Sequence, residues 1–481
     1  MERLGPLDAA FLDLEDGDRH ASLAIASVAV LGGPAPGQDE YVAAVGPRFA
    51  AIRRARQRVL RVPFDLGAPV WADDPDFDVG YHFRRTAVPA PGDDEALHRL
   101  VARIMAQRLD RDRPLWECWV IEGLAGDRWA VLTKLHHCMA DGVSGTRLYH
   151  AIFADTPAPA APSAVDPVPG TVGLALDALG DLTRKVVGQV GLLLGTVSAP
   201  LRVISGVGEL AAAIRPATRS SLSGPIGTAR RYHVARVPLP AVKRIAKAYG
   251  ATVNDVVLTA ISAGLRAMLV SRGEQPEPRM VRTLVPVSVR TSGELDELDN
   301  RVSLLLPFLP VDIADPVEAL TEVHRRLARE KTTGEAEAGR AVTAIAGREP
   351  FAPVSLAVRF AARLPQRSIV TVTTNVPGPR APLHVLGRKV LELLPYVPIA
   401  VRMRLGVAAM TYCDDTVFGV TADYATMSDA GLLTDAIERT VANLASTMDT
   451  RARRLNETTE EVSRCRTGTT ITPGAGVGSA P

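Results

Sequence analysis

Cysteine is scarce. The 481-residue chain has four, Cys118, Cys138, Cys413 and Cys465, and no two form a CxxC pair. That excludes a zinc site built from cysteines and suggests no disulfide framework, so a reducing, cytoplasmic location is expected. An excess of either charge is also missing: 55 Lys and Arg stand against 53 Asp and Glu. The balance is too even for a dedicated nucleic-acid binder. Lysine itself is rare, six residues against 49 arginines, a bias that speaks of a GC-rich genome rather than of function. Long apolar runs are lacking too. The best candidate, Val186–Leu201, has 16 residues interrupted by Gly188, Gly191, Gly195 and Pro200, short of the ~20 that a membrane span needs. The opening MERLGPLDAAFLDLEDGD carries charges where a signal peptide has an apolar core. A soluble or peripheral protein is expected.

What is present is globular: 47% hydrophobic and 22% charged residues, enough apolar surface for sizeable cores. At roughly 100–200 residues per domain the length implies two or three domains. Residues 1–155 read as mixed α/β, with a strand at Ser22–Leu31, a helix at Asp93–Leu109 and a strand at Trp129–Leu135 running into His136 and His137. The Pro/Ala stretch Thr156–Pro169 cannot hold a regular element and marks a linker. The Gly/Ala/Leu/Val-rich segment to about residue 229 reads as a helical connector or a weakly amphipathic lipid-facing surface. Residues 230–450 resume α/β. Helices are expected at Leu239–Tyr249, ending at Gly250, and at Thr252–Leu269, capped by Thr252 or Asn254. Strands follow at Met280–Val289 and Val302–Leu309, and a helix at Pro316–Lys331. Strands return at Ser368–Thr374, Gly406–Cys413 and Thr416–Ala422, and a last helix spans Asp429–Met448. Residues 451–481 are expected to be a disordered tail. The Arg-rich run Ile52–Arg61 reads as a solvated helix face or a contact for anionic headgroups or phosphates.

Several familiar motifs fail. DDPDFDVG has its glycine one place late for a calcium loop and Arg85 where a glutamate is required. Gly142–Thr146 lacks the last glycine of a GxSxG elbow. There is no P-loop, no GxGxxG after a strand and no HExxH. Adjacent histidines on extended backbone point to opposite sides, so no metal site is expected of them.

One constellation survives. His136-His137-Cys138-Met139-Ala140-Asp141-Gly142 follows an apolar strand and precedes a helix starting near Val143. Gly142 lets the backbone turn close to a ligand, and Asp141 suits a helix N-cap. A histidine at the mouth of a buried strand can serve as a general base, or can be a core side chain beside a capping aspartate. HHCMADG matches the HHxxxDG signature of the chloramphenicol acetyltransferase-like superfamily of CoA-dependent acyltransferases and condensation domains. PLDAAFLDLED, DPDFDVGYHFRR, LDRDRPLWECWVIEGL, TVNDVVL, RTLVPVSVR, NRVS and TTNVPGP follow one another as in the bacterial wax ester synthase/diacylglycerol acyltransferase family. The chain resembles that family over roughly residues 4–450.

The resemblance implies two similar α/β domains joined by a crossover, with an active-site tunnel between them. It implies transfer of a long-chain acyl group from acyl-CoA, a substrate rather than a cofactor, to diacylglycerol or a fatty alcohol at a membrane or lipid-body surface. His137 matches the family's general base. His136 would point away and pack structurally. Asp141 would hold the loop by pairing with a buried arginine, for which Arg290 is the candidate. Gly142 would keep the loop close to the pantetheine. Asn254 and Asp255 match the ND pair, Asn254 contacting the oxyanion or a water or else capping its helix. Trp116 would shape the channel wall or be a core residue. Asn375 and Gly378 belong to a turn that is structural or lines the CoA site, and Glu15 would influence acceptor choice or be a surface charge. A direct attack is implied, with Cys138 as a rival nucleophile. Two other functions stay open: an acyltransferase with another acceptor or a carrier-bound donor, and a non-catalytic lipid-binding homologue.

Overall fold

A computed structural model describes residues 2–139, 152–153, 170, 172–180, 217–288, 302–332 and 369–467. The first unit opens with helix α1 (Pro6–Gly17), followed by β1 (Ala24–Gly32), helix α2 (Gln38–Ala51) and the ribbon of β2 (Gln57–Leu60) with β3 (Val70–Asp73). β4 (Phe83–Ala87), a helix at Asp94–Ala106, β5 (Trp116–Leu124) and β6 (Arg128–His136) complete it. The second unit holds β7 (Arg230–Pro238), helices Leu239–Ala248 and Val253–Ser271, β8 (Thr283–Ser288), β9 (Val302–Leu305) and helix Pro316–Thr332. Then come β10 (Thr371–Val376), β11 (His384–Val385), β12 (Arg388–Tyr396), β13 (Leu405–Tyr412), β14 (Asp415–Asp423) and helix Gly431–Thr467.

Each unit is built on a six-stranded mixed sheet. The orders are β11-β12-β1-β6-β5-β4 and β7-β14-β13-β10-β8-β9, so the two-unit α/β architecture implied by the sequence is present. The central strands read as unbroken apolar runs because both faces are covered: in β6 every residue from Trp129 to Lys134 is buried. Helix Leu239–Ala248 shows the other pattern, with Val242, Ile245 and Ala246 inward and charged residues outward. Helix Val253–Ser271 is the one described helix apolar and long enough to cross a bilayer, and it is mostly buried in the core of the second unit.

The units are stitched by exchange of a hairpin. β11 and β12 lie in the second half of the sequence but pair into the first sheet, β12 against β1 with Val28 opposite Leu394. A boundary at residue 230 therefore does not divide the chain into two self-contained halves. β12 crosses directly over β14, and the crossing is tight. A Cβ at Gly419 would sit 1.8 Å from the carbonyl oxygen of Pro395, so only glycine fits there. Tyr232 donates its hydroxyl to the same carbonyl at 2.8 Å.

Three expectations need correction or placement. Residues 451–467 continue the last helix rather than forming a disordered tail, as a segment without Gly or Pro, rich in Arg and Glu, favours. The Arg-rich run is not a helix face but a 3₁₀ turn, Arg53–Arg56, leading into β2. Two of its charges are paired within the chain: Arg54 pairs with Glu2 and lies over the Trp71 ring, and Arg61 pairs with Asp13 and Asp16. The Pro/Ala linker and the Val186–Leu201 run lie outside the described residues. Within the connector, residues 172–180 are helical, packing Leu174 and Ala178 on Val62 and Val70.

Candidate active site

The histidine pair is fixed where β6 ends. The His136 amide donates to the Leu115 carbonyl and the His137 amide to the Leu23 carbonyl, each at 2.9 Å. After His136 the backbone leaves the sheet in a 3₁₀ turn, His137–Met139, and the two rings part company. Both meet α1, one helical turn apart. The ring of Phe11 lies over that of His137, centroids 4.0 Å apart. Glu15, on the same face four residues on, places Oε2 3.4 Å from Nε2 of His136.

Glu15 is buried rather than a surface charge. Oε1 accepts the Leu23 amide at 2.8 Å and Oε2 accepts from Arg111. Burial alone would raise its pKa, but His136, Arg111 and the Leu23 amide hold the carboxyl down to about 2. His136 is buried and its pKa is lowered by that burial, with Glu15 opposing. Its Nδ1 accepts the Cys138 amide at 3.2 Å, so the ring hydrogen belongs on Nε2, facing Glu15.

His137 is pushed down to about 4 by burial, against the pull of its own backbone. Nδ1 is buried and meets hydrogen-bond geometry with nothing among the described residues. The imidazole is thus neutral through the physiological range, the form a base requires. Cys138 is buried and its thiol is pushed up, first by burial, which makes it a poor source of thiolate. Among the described residues no three His, Cys, Asp or Glu side chains gather to hold a metal ion. Asp141, Gly142 and Arg290 lie outside the described residues.

The ND pair separates into two functions. Thr252 is the N-cap of helix Val253–Ser271, its side chain accepting the Asp255 amide at 3.2 Å while Asp255 accepts the Thr252 amide at 2.8 Å. Asp255 also bonds His324 Nδ1 at 2.8 Å. It is therefore engaged in capping and in holding a neighbouring helix. Asn254 is not the cap. Its Oδ1 accepts from Asn375 Nδ2 at 3.4 Å, so the two asparagines meet across the helix and β10.

Trp116 is buried in the core of the first unit. Its indole is sandwiched between Phe49 and His82, at 4.3 and 4.4 Å between centroids, and donates to the Ala55 carbonyl at 2.8 Å. Gly378 is packed on β13: its amide donates to Thr411 Oγ1 at 3.1 Å, and a Cβ would lie 1.9 Å from the Thr411 carbonyl oxygen. Sequence reasoning missed Phe11, Arg111 and Lys134. The i, i+4 spacing of Phe11 and Glu15 was a usable signal. Lys134 gave none, since a buried lysine is unexpected in a strand; it spans from β6 to the carbonyls of Ile104 and Gln107 at 3.0 and 2.7 Å, completing the end of helix Asp94–Ala106.

The chain is similar to known proteins over most of its length. The wax ester synthase/diacylglycerol acyltransferase catalytic domain matches residues 4–257, and the C-terminal domain of the same family matches 298–445. A Mycobacterium tuberculosis protein named probable diacylglycerol O-acyltransferase is 46% identical over 449 residues, 93% of this chain and 96% of its own length. A second relative from that species, named putative diacylglycerol O-acyltransferase, is 37% identical over 93% of this chain and 92% of its own. Among solved structures, the wax ester synthase/diacylglycerol acyltransferase of Marinobacter aquaeolei superposes with a TM-score of 0.63 at 25% identity, covering 93% of this chain and all of that one. The starter condensation domain of rhizomide synthetase shares the fold, with a TM-score of 0.55 at 15% identity, covering 93% of this chain and 94% of that one.

Proposed function

Because the chain belongs to the wax ester synthase/diacylglycerol acyltransferase family, we propose that it moves a long-chain acyl group from acyl-CoA to the hydroxyl of diacylglycerol, and to long-chain alcohols as a second acceptor class. The observation that carries this reading is the placement of His137 where β6 ends, its amide held by the Leu23 carbonyl at 2.9 Å and its ring 4.0 Å from that of Phe11. The tautomer that does this chemistry carries its ring hydrogen on Nδ1 and its lone pair on Nε2. Nε2 takes the acceptor hydroxyl proton as that oxygen attacks the thioester carbonyl. The C–O bond forms, the tetrahedral oxyanion collapses, the C–S bond breaks, and the imidazolium returns the proton to the CoA thiolate. A positioned base of this kind contributes about 10²–10⁴-fold. Asn254, free of capping and turned to Asn375, is the side-chain amide offered to the oxyanion.

The acceptor is insoluble, so the enzyme has to meet a lipid surface. Support comes from an apolar patch: Phe64, Val172, Leu176 and Leu179 are exposed beside the small cluster of Val62, Val70, Leu174 and Ala178. The test is thiol release from palmitoyl-CoA by purified protein with diolein, hexadecanol or no acceptor, and with His137→Ala alongside. Acceptor-dependent release that vanishes in the variant supports direct transfer and ranks the acceptors. Release without acceptor points to hydrolysis, and no release with any acceptor refutes the reading.

A further inference from the structure

The described residues give Glu15 two separate connections to the peptide of His137. Along the first, Oε1 accepts the Leu23 amide at 2.8 Å, and the carbonyl of the same residue accepts the His137 amide at 2.9 Å. Along the second, Oε2 faces Nε2 of His136 at 3.4 Å, while Nδ1 of that ring accepts the Cys138 amide at 3.2 Å. The first route holds the amide before the His137 ring and the second the amide after it. Each has one intermediary. Arg111 anchors the carboxylate from the far side, and Arg108 ties the Glu15 carbonyl to that of Ala21, so the clamp is itself secured.

We propose that Glu15 is a positioning residue for acyl transfer: a two-armed carboxylate clamp that fixes the 136–138 turn and the tautomer of His136, and so aims the His137 imidazole. This rests on the reading of His137 as the base and extends it to a residue that touches neither substrate. A buried carboxylate is costly to keep in a protein interior, and the clamp accounts for its presence. Each oxygen accepts a donor from the chain, Oε1 the Leu23 amide and Oε2 Arg111, so a change of acceptor preference in Glu15 variants would arise through the aim of His137.

Glu15→Gln puts an NH₂ where one oxygen was, leaving either the Leu23 amide or the His136 ring facing a donor. His136→Gln keeps a donor toward Glu15 and loses the acceptor for the Cys138 amide. The experiment measures kcat and KM for palmitoyl-CoA with diolein in both variants and the wild type, and the tautomer of His136 by ¹⁵N–¹H spectra of histidine-labelled wild type and Glu15→Gln. The expected result is a folded protein, kcat down on the order of 10–100-fold, KM within about twofold because the clamp touches no substrate, and loss of the Nε2–H tautomer signature in Glu15→Gln. Unchanged kcat in both folded variants, or a wild-type His136 that carries its hydrogen on Nδ1, would overturn the proposal. The spectra need no turnover, so they test the clamp even if no acceptor supports transfer. Should Glu15→Gln fail to fold, His136→Gln with an unchanged kcat decides against it.

Discussion

Phe11 and His137 lie ring on ring, with centroids 4.0 Å apart and planes inclined by 31°. The phenyl is also part of the small cluster of Ala21, Leu23 and Ala400, so α1 carries the cover of the base on packing shared by both units. This cover is part of the burial that holds the imidazole down to about 4. Phe11→Ala should admit water, raise the His137 pKa toward its ordinary value and cost about 1–3 kcal/mol of stability for a half-buried ring. A pH titration of the His137 ring followed by NMR, with melting curves, checks it; an unmoved titration shows that Phe11 does not shield the base.

Thr252 and Asn254, two residues apart, should respond in opposite ways. Thr252 caps its helix through the Asp255 amide, and Thr252→Ala should lower stability by about 1 kcal/mol with kcat preserved. Asn254 bears no capping bond and meets Asn375 instead. Asn254→Ala should melt as the wild type does yet lose about 10²–10³-fold in kcat if its amide faces the oxyanion. Equal kcat for Asn254→Ala and the wild type removes that assignment.

Gly378 is a test of packing against ligand binding. An added methyl would meet the Thr411 carbonyl at 1.9 Å, and backbone on both sides can give little. Gly378→Ala should therefore cost about 1–3 kcal/mol in chemical denaturation. Protein that remains folded at low temperature should keep its KM for acyl-CoA. A raised KM without loss of stability would return the glycine to the CoA site.

The sequence was informative where periodicity and chemistry coincide. The β6 run into His136, the helix Asp94–Ala106 with its apolar positions Leu97, Val101 and Ile104, and the helix before Gly250 were all legible from spacing. Less legible was anything set by contacts between distant segments. The migration of β12 into the first sheet could not be read, because a strand's apolar pattern does not name its partner. Glu15 reads from the sequence as a residue for acceptor choice or as a surface charge; only the convergence of Arg111, Leu23 and His136 on it shows why it is buried. Trp116, two residues after Pro114, reads from the sequence as a channel or a core residue, and its two stacking partners come from α2 and from the turn before β4.

Buried histidines should make the protein acid-labile well above the carboxylate range. His98 is pushed down to about 4, by burial first and then by Arg236, and its ring stands edge-on to Tyr232 of the second unit, centroids 5.6 Å apart. His137 is likewise near 4. An unfolded histidine takes up its proton near pH 6.5, so between pH 6.5 and about 4 the unfolded chain holds more protons than the folded one. Stability then rises with pH through that window: it is fully present above 6.5 and declines as the pH falls toward 4. Glu15, held at about 2, acts lower. Its contribution is present above its unfolded value near 4.5 and is lost as the pH falls through 2. Each of the two histidines can account for about 3 kcal/mol between pH 7 and 4. His98→Leu removes one titrating group while filling its place, so its urea midpoint should fall less steeply than that of the wild type from pH 7 to 5. If the two midpoints run parallel, His98 is not held neutral by the fold, and the acid sensitivity has to come from His137 and the remaining buried histidines.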